Sequence, residues 1–242
     1  MYTKTFKVAA LLLGVTGFSA DRAQATIVQT WSGNSSSGVA VSFEADFTIS
    51  GNTLTIDLYN NSPVASANPS DLLSSFYFDI ALGGVRPTLT YVSATGDIWT
   101  IHSRATPDTL TDASADLMAV IAGDDTWQFR TMDDAFSPFL GFGIGTVGNS
   151  DLSPNNFMGN IVDGRDYSIY HGEVTANNMN GNLLVLDHAR FVFSGVSGFS
   201  EADISAVSAF GLGTGPDSLV YTPEPATLAL LALGLVGLRR RR

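Results

Sequence analysis

Val39–Ser50 reads VAVSFEADFTIS and alternates without a break. Val39, Val41, Phe43, Ala45, Phe47 and Ile49 fall on one side, and Ser42, Glu44, Asp46 and Thr48 on the other. A period of two puts successive side chains on opposite faces of an extended chain, so the stretch is a half-buried strand. Gly51–Asn52 follow, and then Thr53–Tyr59, TLTIDLY, in which Leu54, Ile56 and Leu58 again share a face. Two alternating runs joined by a short glycine-containing loop make a β-hairpin.

Outward from the hairpin, the same chemistry recurs. Strand-like runs occupy Ser75–Leu82 (with Phe76, Phe78, Ile80 and Leu82 in step), Thr88–Ala94, Asp97–His102, Thr126–Thr131, Tyr167–Val174, Asn182–Val196 and Ser218–Thr222. Clusters of Gly, Asn, Asp, Ser and Pro separate them. Many short strands divided by turn residues predict an all-β fold, here a single antiparallel, jelly-roll-like β-sandwich over residues 26–222. Helix is scarce: Asp112–Gly123 suits two or three turns, and Ser200 and Asp203 stand at the spacing of a capping box. No fixed-period repeat or proline-rich linker divides the body, and about 200 residues bury a good core as one domain.

Between Thr26 and Thr222 the chain holds 18 Asp and 3 Glu against 5 Arg and no Lys, a net charge of −16. Such a body repels a nucleic-acid duplex or an anionic membrane surface, so its partners are neutral, cationic or bridged by a metal. The absence of cysteine excludes disulfides and any thiolate metal or redox site.

Both termini depart from this composition. Lys4 and Lys7 precede the apolar run Val8–Ala20, and Ala23 and Ala25 form an A-x-A site. That order is the signature of a secretory signal peptide over residues 1–25, with the mature chain starting at Thr26. At the other end, Pro223, Glu224 and Pro225 open the uncharged run Ala226–Leu238, which stops at Arg239, Arg240, Arg241 and Arg242. As a helix this run spans roughly 20 Å, against roughly 30 Å of hydrocarbon core. A short membrane-associated helix is expected, its basic end held on the cytoplasmic side.

This tripartite tail over residues 223–242 resembles a PEP-CTERM sorting signal: Pro223–Pro225 stand for the motif, Ala226–Leu238 for the helix, and Arg239–Arg242 for the basic end. The resemblance implies processing near the motif, after export, by an exosortase, an integral-membrane cysteine protease. It further implies a Gram-negative host that makes exopolysaccharide, and a place in the cell envelope, at the surface or in the extracellular matrix. Its partners are then the secretion machinery, exosortase and exopolysaccharide, with membrane contact through the tail helix before processing.

The body offers no motif of comparable weight. Gly143, Gly145 and Gly148 match G-x-G-x-x-G, but NSDLSPNN follows where a dinucleotide site needs a helix, so these are glycines of a strand or bulge. His102, His171 and His188 lack zinc-ligand spacing, and there is no G-x-S-x-G elbow. Asp124, Asp125, Asp133 and Asp134 flank an aromatic strand, with Asp163 and Asp166 further on. Calcium takes carboxylates from such turns, although aspartate is also a common turn residue and no EF-hand loop is present. Trp31, Trp99 and Trp127 serve either the core or a sugar-stacking surface. The body reads first as a non-enzymatic envelope or matrix domain without a cofactor. The alternatives are a calcium-dependent carbohydrate-binding module and a secreted glycan-active hydrolase.

Overall fold

The computed structural model describes residues 26–102, 106–118, 127–132, 140–146, 166–173, 179–213 and 218–222. The signal peptide with Ala23 and Ala25, the tail from Pro223 to Arg242, and Asp124, Asp125, Asp133, Asp134 and Asp163 lie outside the described residues.

The opening hairpin forms as expected. β2 (Ala40–Ser50) and β3 (Thr53–Asn60) pair antiparallel from Phe43↔Asn60 to Ser50↔Thr53. Gly51 takes φ +62° in the two-residue turn, a conformation open to glycine because it has no Cβ. Val41, Phe43, Ala45, Phe47 and Ile49 are buried, and Leu54, Ile56 and Leu58 continue the same apolar surface.

Around the hairpin are β1 (Ile27–Asn34), β4 (Leu73–Phe78), β5 (Thr90–Thr100), β6 (Thr109–Asp116), β7 (Gln128–Thr131), β8 (Phe142–Gly145), β9 (Ile169–Tyr170), β10 (Leu183–Ser194), β11 (Ala209–Leu212) and β12 (Ser218–Tyr221). They make one twelve-stranded sheet in the order β1-β2-β3-β10-β9-β4-β11-β12, with β5 and β6 branching from β10, and β8 and β7 from β4. The expected arrangement was purely antiparallel. The sheet is instead mixed, because β9 pairs parallel with β10 through Val185↔Ile169 and antiparallel with β4 through Leu73↔Ile169, which joins the two halves by hydrogen bonds.

Strands far apart in that order meet through their side chains. The rings of Phe47 on β2 and Phe76 on β4 lie 5.8 Å apart, those of Phe43 and Phe210 6.0 Å, and those of Phe129 and Phe193 4.8 Å. Each fully buried phenylalanine among them contributes about 1.5–3 kcal/mol of transfer free energy.

Two expected helices change. Asp112–Asp116 belongs to β6, paired with β5, Leu117 and Met118 form a turn, and 119–123 lie outside the described residues. The capping box at Ser200 and Asp203 is present, but it closes a single 3₁₀ turn, Glu201–Asp203. Gly143 and Gly145 sit in β8, in line with the strand reading of the glycine run, while Gly148 lies outside the described residues.

Candidate functional site

The polar side of the opening strand leads to the site. Glu44 and Asp46 face away from the core and pair across β2 and β3 with Tyr59 and Asp57, which pair in turn with His188 and Arg190 on β10. Arg190 donates to both carboxylate oxygens of Asp57, Nε to Oδ1 at 2.7 Å and Nη2 to Oδ2 at 3.1 Å. His188 Nε2 lies 2.8 Å from Asp57 Oδ1, and its ring stacks on Tyr59 with centroids 4.6 Å apart. Burial raises the Asp57 carboxyl, but the hydrogen bonds from His188 and Arg190 outweigh it, and the net pKa is lowered. Asp46 is shifted the other way, by burial and then by the negative charge of Asp57.

Beside this cluster the sheet is irregular on both sides of Asp97. On β10 the register jumps between Val185↔Ile98 and Ala189↔Gly96, so Leu186, Asp187 and His188 bulge opposite Asp97. On β6 it jumps between Gly96↔Ala115 and Ile98↔Asp112, and the Ser114 N–H turns back to donate to Asp97 Oδ1 at 2.9 Å. Asp187 and Ser114 take φ +58° and +53°, the left-handed region that side chains disfavour. Bulges and such backbone outliers recur where a sheet re-aims side chains toward a site.

The bulge opens two cavities that share Leu186. One, of ≈ 290 Å³, lies among Thr95, Asp97, Ser114, His188 and Arg190. The other, of ≈ 520 Å³, has Trp99 and Leu186 on its apolar side and Asp108, Glu173 and Asp187 among its polar groups. Tyr170 also lines it; burial raises the phenol pKa, and the charges of Asp108 and Asp187 add to the shift. His171 Nδ1 lies 2.9 Å from Asp187 Oδ1 and helps fix that carboxylate.

The residues singled out in the sequence therefore separate. Trp127 is core, its Nε1 donating to the Tyr167 carbonyl at 2.8 Å, and Trp31 stacks on Phe43 at 6.2 Å; Trp99 lines the larger cavity. The histidines do not form one site: His188 lies in the bulge and His171 beside it, whereas the backbone N–H of His102 donates to Asp108 at 2.9 Å. Asp166 accepts from Asn182 Nδ2 and from the Leu183 N–H, which makes it a structural brace. Among the described residues no group of three His, Asp or Glu side chains is placed to hold a metal ion, and no helix is long and apolar enough to cross a membrane. Sequence reasoning missed the cavity walls Asp108, Glu173, Leu186 and Asp187, which come from three separate segments.

The body ends in an ordered way. Thr222, after β12, is buried, its N–H donates to the Ser208 carbonyl at 2.9 Å, and its Oγ1 accepts from the Ser208 N–H at 2.9 Å. No match was found among curated proteins or among solved structures. Residues 222–242 match the PEP-CTERM protein-sorting motif, a match that begins at this buried threonine and is consistent with an exosortase-dependent protein.

Proposed function

We propose that the chain is a non-enzymatic protein of the cell envelope or extracellular matrix, exported, sorted by exosortase and associated with exopolysaccharide. The observation that carries this reading is the sorting motif at residues 222–242, which implies export and a surface or extracellular destination. An acidic body without lysine agrees with it, since charge keeps such a domain off anionic membranes. The two halves of the sheet that meet through Phe43, Phe47, Phe76 and Phe210 are read here as the layers of a β-sandwich that serves as the displayed scaffold.

The test is deletion of Arg239–Arg242 followed by cell fractionation. The expected result is loss of the protein from the surface and medium, with unprocessed chain accumulating at the inner membrane. Normal processing and display of the deletion variant would refute the reading. A second reading, hydrolysis of a glycan, is favoured by one observation: Asp108, Glu173 and Asp187 line one cavity, and glycosidases work with paired carboxylates. A reducing-end assay separates the two, with no release expected.

A further inference from the structure

We propose that the groove over the β10 bulge, formed by the two cavities that meet at Leu186, binds a neutral or amine-bearing saccharide. Trp99 provides the stacking platform, and Asp108, Glu173 and Asp187 accept hydrogen bonds from the sugar. The proposal deepens the polysaccharide association above and rests on it only for where the ligand is met.

The larger cavity presents two kinds of surface, apolar and acidic. A sugar ring presents an apolar C–H face and a rim of hydroxyl donors, and it needs both matched when it leaves water. Trp99 and Leu186 offer the apolar side, and three carboxylates from separate segments offer acceptors. Hydrogen bonds to ionised acceptors are about twice as strong as neutral ones. Trp99 and Leu186 are only partly buried over the apolar cluster of Leu72, Ile101, Tyr170 and Leu184, which leaves part of their surface to a ligand in the cavity.

Charge then narrows the ligand. Three carboxylates in one cavity, on a body of net charge −16, reject uronates and sulfated glycans and favour neutral or amino sugars. The carboxylates are not arranged as an ion site. Shape agrees as well. The bulge that opens the groove is held by Asp187 and Ser114 in the left-handed region, and each lines one cavity. A strained bulge at this level of the sheet is accounted for by a groove that continues past Leu186 toward His188 and Arg190.

The test uses the protein purified from the medium or cell surface. It is applied to a glycan array containing neutral, amino and uronate oligosaccharides, and affinities for the hits are measured by calorimetry. Binding of neutral or amino glycans and exclusion of polygalacturonate are expected. Trp99→Ala is expected to weaken binding about tenfold or more. Glu173→Gln, at an exposed position, is expected to weaken it severalfold with an unchanged melting temperature, so the test stands even where Trp99→Ala fails to fold. Absence of any array signal, preference for polygalacturonate, capture of a lysine-rich peptide in place of a sugar, or full affinity in Glu173→Gln would overturn the site. If the protein is displayed at the surface yet binds no glycan, the sorting reading stands and the site falls. If bound glycan is cut, the non-enzymatic reading falls and the site stands.

Discussion

Asp71→Ala is expected to be among the most damaging single changes in the body. Asp71 is fully buried at the end of the 3₁₀ turn Pro69–Asp71 and ties its own stretch of chain to the turn between β1 and β2. Its Oδ1 accepts from the hydroxyls of Ser35 at 2.6 Å and Ser37 at 2.7 Å, in the turn between β1 and β2. Its Oδ2 accepts from the backbone N–H groups of Ala67 at 2.9 Å and Asn68 at 2.7 Å. Truncation leaves two amides and the buried Ser35 hydroxyl without an acceptor, while Ser37, nearer solvent, rehydrates. At about 1–3 kcal/mol for each stranded group, and allowing that the hydroxyl can turn elsewhere, the loss is about 3–6 kcal/mol. For a domain of this size that is a fall in melting temperature of roughly 6–24 °C. Asp71→Asn keeps an oxygen for the amides, and its NH₂ can donate to the serine hydroxyls, so it should cost about 1–2 kcal/mol. Urea and thermal unfolding of the three proteins at neutral pH measure both. A loss under about 1 kcal/mol in Asp71→Ala, or equal losses in the two variants, would refute the reasoning.

Three further outcomes follow from the fold. Phe47→Ala removes a fully buried ring in contact with Phe76 and Phe78 and should cost about 3–5 kcal/mol in unfolding free energy. Gly195→Ala should destabilise through both backbone and packing: Gly195 has φ +109°, and a Cβ there would clash with the Thr88 carbonyl oxygen, so little folded protein is expected on expression. The lowered pKa of Asp57 makes its ion cluster stabilising above the unfolded carboxylate pKa of about 3.9, and that stability is lost as pH falls through the lower folded value. The urea midpoint of Asp57→Asn should therefore lie below wild type at pH 7, and the gap should close as pH falls below about 3.9 toward the lower folded value. A gap that widens on acidification would contradict the assignment.

What the sequence shows and hides follows from where each signal resides. β2 and β3 are legible because each buries one face and exposes the other, so period two is written in the side chains. β6 is not: TLTDASAD is almost wholly exposed, carries alanine and aspartate in place of β-branched core residues, and becomes a strand because the edge of β5 supplies its partners. β1 escapes for a related reason. Its inward face runs Ile27, Gln29, Trp31 and Gly33, and the one fully buried member is Gln29, which donates to the Ser205 carbonyl at 2.6 Å, so a polar residue and a glycine interrupt the apolar alternation. β11, AFGL, is buried throughout between β4 and β12, and so short a run has no period to read. The site is less legible still. His188 and Asp57 meet across 131 positions and His171 and Asp187 across 16, and the bulge that aims them is a mismatch of register between strands. Trp99 was visible as a tryptophan, but its place in a cavity depends on Asp108, Glu173 and Leu186 from other segments. The sorting signal lies at the opposite extreme, because a membrane protease reads it as a local, linear pattern.

That local pattern also provides the most direct test of the account. The intact mass of the protein, recovered from the surface or medium of cells with and without their exosortase, reports the C-terminus that reaches its destination. The expected result is a chain lacking Arg239–Arg242 and the apolar run before them when exosortase is present, and a chain that starts at Thr26 and keeps its whole tail, confined to the membrane fraction, when it is absent. Surface protein that retains Arg239–Arg242 in cells with active exosortase would contradict it.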